Sequence, residues 1–207
     1  EPIVLDSDSP GRVMALDPTG WYAWVACEDG SIALIDAENL VELDQNREDD
    51  PSTIAESRMV NTRMSGFMTG ETLNPDGGIA VSPDGTRLYV SGSPGPYAGS
   101  WISVFDLIRR EQMDSISVEE KCRDMEITPD GTKLIMVLRD DNNLTEGKLA
   151  MMDITLKDPA VYNPPEAENN IIHTITLAGM INSVAIDETG DCAFVNTGGL
   201  GDDRFSA

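Results

Sequence analysis

The chain is short of positive charge. Of its 207 residues, 37 are Asp or Glu and 14 are Lys or Arg, only four of them Lys, for a formal net charge of −23. A field of that sign repels phosphate backbones and anionic bilayer surfaces, which argues against nucleic-acid binding and against attachment to an acidic membrane. A lone histidine, His173, is too few for a multi-histidine copper or haem site within this chain. Three cysteines, Cys27, Cys122 and Cys192, cannot all pair with one another and follow no zinc or thioredoxin spacing. No apolar run approaches the roughly 18 residues a membrane helix needs, so membrane insertion is not expected. Nothing near the start reads as a signal peptide, and Glu1 reads as the first residue of a mature or trimmed chain. Gly-x-Ser-x-Gly elbows, phosphate loops and His-Glu-x-x-His motifs are missing too.

What the chain does have is a phrase that it repeats four times: Met14-Ala-Leu-Asp-Pro-Thr-Gly20, Ile79-Ala-Val-Ser-Pro-Asp-Gly85, Met125-Glu-Ile-Thr-Pro-Asp-Gly131 and Val184-Ala-Ile-Asp-Glu-Thr-Gly190. Each copy runs into a second apolar alternation, the clearest being Thr86-Arg-Leu-Tyr-Val90 and Thr132-Lys-Leu-Ile-Met136. Two period-2 runs joined by a Pro/Asp/Gly turn predict a β-hairpin, and four of them predict a repeat architecture. A third strand follows in Ile32–Asp36, Ile102–Asp106 and Leu149–Asp153, each ending on an Asp that can bond its own backbone in a turn. A weaker fourth strand follows at Ser115–Val118 and Ile172–Leu177; in the first repeat it is either Leu40–Leu43 or part of the insertion beyond. Four antiparallel strands per unit is the pattern of a propeller blade. The expected fold is therefore an all-β propeller of about four repeats, near residues 11–43, 77–118, 123–177 and 182–207, the last incomplete, with an inter-blade insertion at 44–76.

The run Ile79-Ala-Val-Ser-Pro-Asp-Gly-Thr-Arg-Leu-Tyr-Val-Ser-Gly92 with Trp101-Ile-Ser-Val-Phe-Asp106 resembles the YVTN-type β-propeller repeat. Thr19 and Thr189 depart from its pattern by replacing the turn Asp. The resemblance implies rings of about six to eight blades, hence a piece of a larger ring; the other reading is a four-bladed ring closed by Ile3–Leu5. Proteins with such repeats include surface-layer modules, periplasmic binding proteins, lactonases and amine-dehydrogenase subunits, so the resemblance implies no single reaction.

In a propeller, the hairpin turns share one face, while the second-to-third-strand loops and the inter-blade connections share the other. The turns here are alike and read as structural. The irregular segments, Ser91–Ser100, Arg139–Gly147 and the insertion, fall on the opposite face, where binding residues on a rigid scaffold usually sit. Ser52 is a candidate cap for a short helix over Thr53–Met59. Asp140, Asp141, Asn143 and Glu146 offer oxygen ligands of the kind Ca²⁺ prefers, without EF-hand spacing; the competing reading is a solvated turn. Arg12, Arg123 and Asn182 each stand eight residues before a turn glycine, at the mouth of the central channel. Two guanidiniums there suit a carboxylate or phosphate, unless each pairs with a neighbouring acid. Trp21, Trp24, Tyr89 and Phe194 read as core between blades, and His173 as an outer-strand residue.

Taken together, these features predict a non-catalytic, extracytoplasmic scaffold or binding module that meets a protein, a small ligand or a second copy of itself on its loop-rich face. The alternative is a propeller subunit of a periplasmic oxidoreductase complex, or a lactonase-like enzyme, with its reactive residues elsewhere.

Overall fold

A computed structural model describes residues 10–43, 59–60, 74–94, 99–143, 145–155, 171–198 and 203–206. Every element among them is a β-strand. The first sheet holds β1 (Gly11–Leu16), β2 (Tyr22–Cys27), β3 (Ser31–Asp36), β4 (Val41–Glu42) and β5 (Met59–Val60). The second runs β6 (Asn74–Val81), β7 (Arg87–Ser93), β8 (Trp101–Asp106) and β9 (Glu111–Ser117). The third runs β10 (Lys121–Ile127), β11 (Lys133–Arg139), β12 (Glu146–Asp153) and β13 (Ile171–Ala178). The fourth has β14 (Met180–Ile186), β15 (Ala193–Gly198) and β16 (Asp203–Ser206). All pairings are antiparallel between sequence neighbours, apart from β5, which also pairs with β3. The first strands β1, β6, β10 and β14 pack in that order, blade against blade. The fold is a β-propeller.

Each repeated phrase is a hairpin turn closed by the same backbone hydrogen bond, from the turn glycine N–H to the carbonyl three residues before it. In the second blade Gly85 N donates to Ser82 O at 2.8 Å, with Gly85 at φ 70°, where a side chain would be strained. The Ser82 hydroxyl donates to Asp84 Oδ1 (2.5 Å), which also accepts from Thr86 N (3.0 Å). The third blade repeats this with Thr128, Asp130 and Thr132. The turns also stack: a methyl group placed on Gly85, Gly131 or Gly190 would lie 3.8, 3.6 or 3.2 Å from Cδ of Pro18, Pro83 or Pro129 in the preceding blade. The proline of the phrase thus covers the glycine of the next. The Asp that ends each third strand closes a turn, as Asp36 Oδ1 accepts from Glu38 N and Asn39 N, and Asp106 Oδ1 from Ile108 N and Arg109 N.

The core lies between blades. Tyr89, Ile102, Val104, Met125, Leu134, Met136, Ala150 and Met152 pack the second blade on the third, while Trp24, Ile32, Leu88, Val90 and Phe105 pack the first on the second. Fully burying side chains of this size contributes about 1.5–3 kcal/mol each. Trp24 and Tyr89 take the core places expected of them, but Trp21 is 55% and Phe194 49% exposed. Trp21 precedes β2 inside the turn, and Phe194 lies on the side of β15 turned away from the third blade, whose contacts fall on Val184 and Val195.

The first blade meets both expectations for its fourth strand. Val41–Glu42 pairs with one end of β3 and Met59–Val60 with the other. Met59 is therefore strand; the rest of the expected helix, Ile3–Leu5, and most of the insertion lie outside the described residues. His173 is exposed on β13, the fourth strand of its blade.

Candidate functional site

The three residues aligned by register before the turn glycine share a backbone feature. Arg12, Arg123 and Asn182 are each the extra residue of a β-bulge at the start of a blade's first strand, skipped between Gly11 and Val13, Cys122 and Asp124, and Ile181 and Ser183. A bulge interrupts the in–out alternation and re-aims a side chain. Gly77 takes that register in the second blade, inside a wider irregularity between Pro75 and Ile79. A methyl group on it would lie 2.5 Å from Arg123 O, so only glycine fits so close to the next blade.

The bulges bring two expected sites together. Arg123 donates through Nη2 to Asp141 Oδ1, and Arg139 Nη2 donates to the same oxygen at 3.3 Å. Arg139 Nη1 donates to Asn182 Oδ1 at 2.8 Å. Strand starts β10 and β14 and strand end β11 thus supply a cluster across the third and fourth blades. Burial raises the Asp141 pKa, but the hydrogen bonds and charges of Arg123 and Arg139 outweigh it and hold the carboxyl below its ordinary value. Nε of both arginines is buried and has no hydrogen-bond partner. Arg12 is not part of this cluster. It pairs with Glu28 at 3.2 Å, with both side chains about half exposed.

The remaining acidic-loop residues bond to one another. Asp140 Oδ1 accepts from Asn142 N (2.9 Å) and Asn142 Nδ2 (3.0 Å); Asn143 Oδ1 accepts from Thr145 Oγ1 (2.7 Å), and Asn143 Nδ2 donates to Glu146 Oε1 (2.8 Å). Among the described residues no group of three or more His, Cys, Asp or Glu side chains is placed to hold a metal ion.

A second cluster on the same face escaped the sequence reading. Lys121 Nζ donates to Asp76 Oδ1 (3.1 Å) and Ser93 Oγ (2.6 Å), and the Ser93 hydroxyl donates to the same Asp76 oxygen at 2.8 Å. Ser100 donates to Asp76 Oδ2 and accepts from Cys122 N at 2.8 Å. The side chains of Lys121 and Asp76 are 10% and 6% exposed, so the ion pair is buried between the second and third blades. Burial, then the Asp76 charge, pushes the neighbouring Cys122 thiol up. The available signals were one of only four lysines opening a strand, and the Ser-Gly-Ser that ends β7.

Below these clusters, inner strands are tied by carboxylates. Asp124 Oδ2 accepts from Val184 N (2.9 Å) and Glu126 Oε2 from Ile186 N (2.7 Å), giving partners to amides of β14 from the neighbouring blade. Burial raises both carboxyls above their ordinary values. On the turn face, a cleft of about 410 Å³ between the second and third blades is lined by Asp84, Arg87, Tyr89, Asp130, Thr132 and Ile154 among others.

No family model and no curated protein matches the chain. Solved structures do: 629 chains are similar, a breadth that points to a shared fold. One is the Kuenenia stuttgartiensis hydrazine synthase, at TM-score 0.65 and 16% identity, over 96% of this chain and 45% of that one. The likeness shows the fold, and the chain spans less than half the length of that relative. No helix among the described residues is long and apolar enough to cross a membrane.

Proposed function

We propose that the chain is a non-catalytic, extracytoplasmic scaffold or binding module of the YVTN type, engaging a partner or small ligand through its loop-rich face. The observation that carries this reading is the arginine cluster: bulges recur at one register of the first strands and aim Arg123 and Asn182 from two blades, and Arg139 at the end of β11 links them. A rigid scaffold that presents charged side chains at loop-bearing strand ends is built to recognise. The strongest nucleophile described on the face argues in the same direction. Cys122 is fully buried, with its thiol pushed up by burial, so its reactive thiolate is suppressed. Lys121 is engaged by Asp76 and Ser93 in a buried ion pair. The −23 charge favours a basic partner, and places the module more readily in an environment with salt or divalent cations.

A photo-crosslinking residue at Asn142 on the loop-rich face, compared with one at Thr19 on the turn face, tests this in the native source. Discrete adducts from Asn142 alone are the expected result. Adducts from Thr19 alone, or none from Asn142, overturn it. Adducts to an oxidoreductase chain would instead favour a subunit of a periplasmic enzyme complex.

A further inference from the structure

We infer that Asp141 is a built-in placeholder in a site for a tetrahedral oxyanion, a phosphate or sulfate group, formed by Arg123 and Arg139. The inference rests on the recognition role of the loop-rich face and names the chemistry of its ligand. Two guanidiniums meet here and share a single carboxylate oxygen, Asp141 Oδ1. Neither forms the two parallel bonds in which a guanidinium fork holds an oxyanion best. Each keeps a buried Nε–H without an acceptor, although buried donors are almost always satisfied. The charges do not balance either: two cations meet one anion, in a chain that is otherwise strongly acidic.

A carboxylate has two oxygens and can fill one fork. A tetrahedral oxyanion offers three or four, enough to serve a fork on each arginine. Asp141 is the member of the cluster that can leave. Its side chain is 38% exposed on the β11–β12 loop, whereas Arg123 and Arg139 are 23% and 16% exposed and rise from strands. Asn182 fixes Arg139 through Nη1 and leaves its other edge for the ligand. As long as Asp141 occupies the site, the apparent affinity for an external anion is reduced by the fraction of molecules in which it has swung away.

Titration calorimetry with inorganic sulfate and phosphate tests this, at an ionic strength held constant near 0.15 M with NaCl so that the overall charge is screened. Asp141→Asn is expected to bind sulfate at least about tenfold more tightly than the wild type. Asp140→Asn removes the same charge without touching a guanidinium and is expected to bind as the wild type does. Adding Arg123→Gln to Asp141→Asn is expected to abolish the gain, and acetate, which can fill only one fork, is expected to bind Asp141→Asn more weakly than sulfate does; acetate binding as tightly as sulfate overturns the preference for a tetrahedral oxyanion. An equal gain in Asp140→Asn, or no binding by a folded Asp141→Asn, overturns the inference. A second measurement uses the wild-type chain alone. Sulfate should slow phenylglyoxal modification of Arg123 and Arg139, read by peptide mass spectrometry, but not of Arg109, whose side chain is 71% exposed. Equal rates at all three sites with and without sulfate refute the site even if a variant fails to fold. Neither result depends on a macromolecular partner, so the inference can fail while the crosslinking succeeds, or the reverse.

Discussion

The Thr19 hydroxyl donates to the Asp17 carboxylate at 2.5 Å across the first hairpin turn, and the same bond runs in the opposite direction in the second, from Ser82 to Asp84 at 2.5 Å. The two partners have exchanged places. Asp17 also accepts from Tyr22 N (2.8 Å), the role that the Ser82 hydroxyl plays for Arg87 N (2.9 Å). The fourth turn follows the first, with Thr189 donating to Asp187 (2.6 Å) and Asp187 accepting from Cys192 N (3.0 Å). What the turn requires is one hydroxyl and one carboxylate at its first and third positions, in either order.

Swapping the pair in the second blade should therefore be tolerated where half a swap is not. Ser82→Asp alone sets two carboxylates against each other, and Asp84→Thr alone removes the acceptor, so each should cost about 1–2 kcal/mol. The double variant Ser82→Asp/Asp84→Thr rebuilds the first-blade arrangement and should recover most of the loss, a coupling of about 1 kcal/mol or more in urea unfolding. Additive losses in the double variant would show that the two positions act independently.

The exchange also shows which parts of the molecule the sequence discloses. Turn chemistry and strand alternation are local, so the hairpins, the Asp-ended third strands and the blade plan could be read before any coordinates. Thr19 and Thr189 look like departures from the repeat until their partners two residues earlier are included. The candidate site was half legible. Register placed Arg123 and Asn182 at one level of the channel mouth, but the bulges that aim them and Arg139, which links them, depend on packing between blades. Asp76 and Lys121 lie 45 residues apart in sequence, and no local pattern announces their contact. Trp21 and Phe194 read as core because alternation tells which residues share a face, not whether a neighbour covers it.

Breaking the Asp76–Lys121 pair from one side should be among the most damaging single changes. Both side chains are nearly excluded from water, and removing one partner leaves the other charge buried and uncompensated, at a cost of about 3–5 kcal/mol. Lys121→Met and Asp76→Asn should each lower the urea midpoint strongly. The double variant should be more stable than either single one, because it leaves no lone charge. A double variant as unstable as the sum of the singles would mean that the serines around Asp76, rather than the ion pair, hold the junction.

The cysteines should separate cleanly by reactivity. Cys192 is exposed, whereas Cys27 and Cys122 are buried, and burial further suppresses the Cys122 thiolate. Native protein should release one equivalent of thionitrobenzoate from Ellman's reagent rapidly, and all three only in denaturant. Cys192→Ser should abolish the fast phase. A fast phase that survives this change would mean that the blade junction around Cys122 opens readily.

Stability should depend on pH through two sets of carboxyls with opposite signs. Asp130 is held down to about 2 by the Thr128 hydroxyl and then by Thr132, and Asp187 is lowered chiefly by Thr189. At Asp84, burial raises the pKa, but bonds from Ser82 and Thr86 win and lower it. These groups lose protons more easily folded than unfolded, so their stabilisation is complete above the ordinary value of 3.8 and is lost as pH falls through their lower folded values, about 2 for Asp130. Asp124 and Glu126 act the other way. Burial raises them, so ionisation favours the unfolded chain, and their contribution declines as pH rises from 3.8 and 4.5 through their higher folded values. Glu126→Gln keeps an acceptor for Ile186 N while removing the partly buried charge. It should raise the melting temperature relative to wild type at pH 7, and the difference should shrink as pH falls toward 4.5. A variant less stable than wild type at pH 7 would show that the charged bond to Ile186 outweighs its burial.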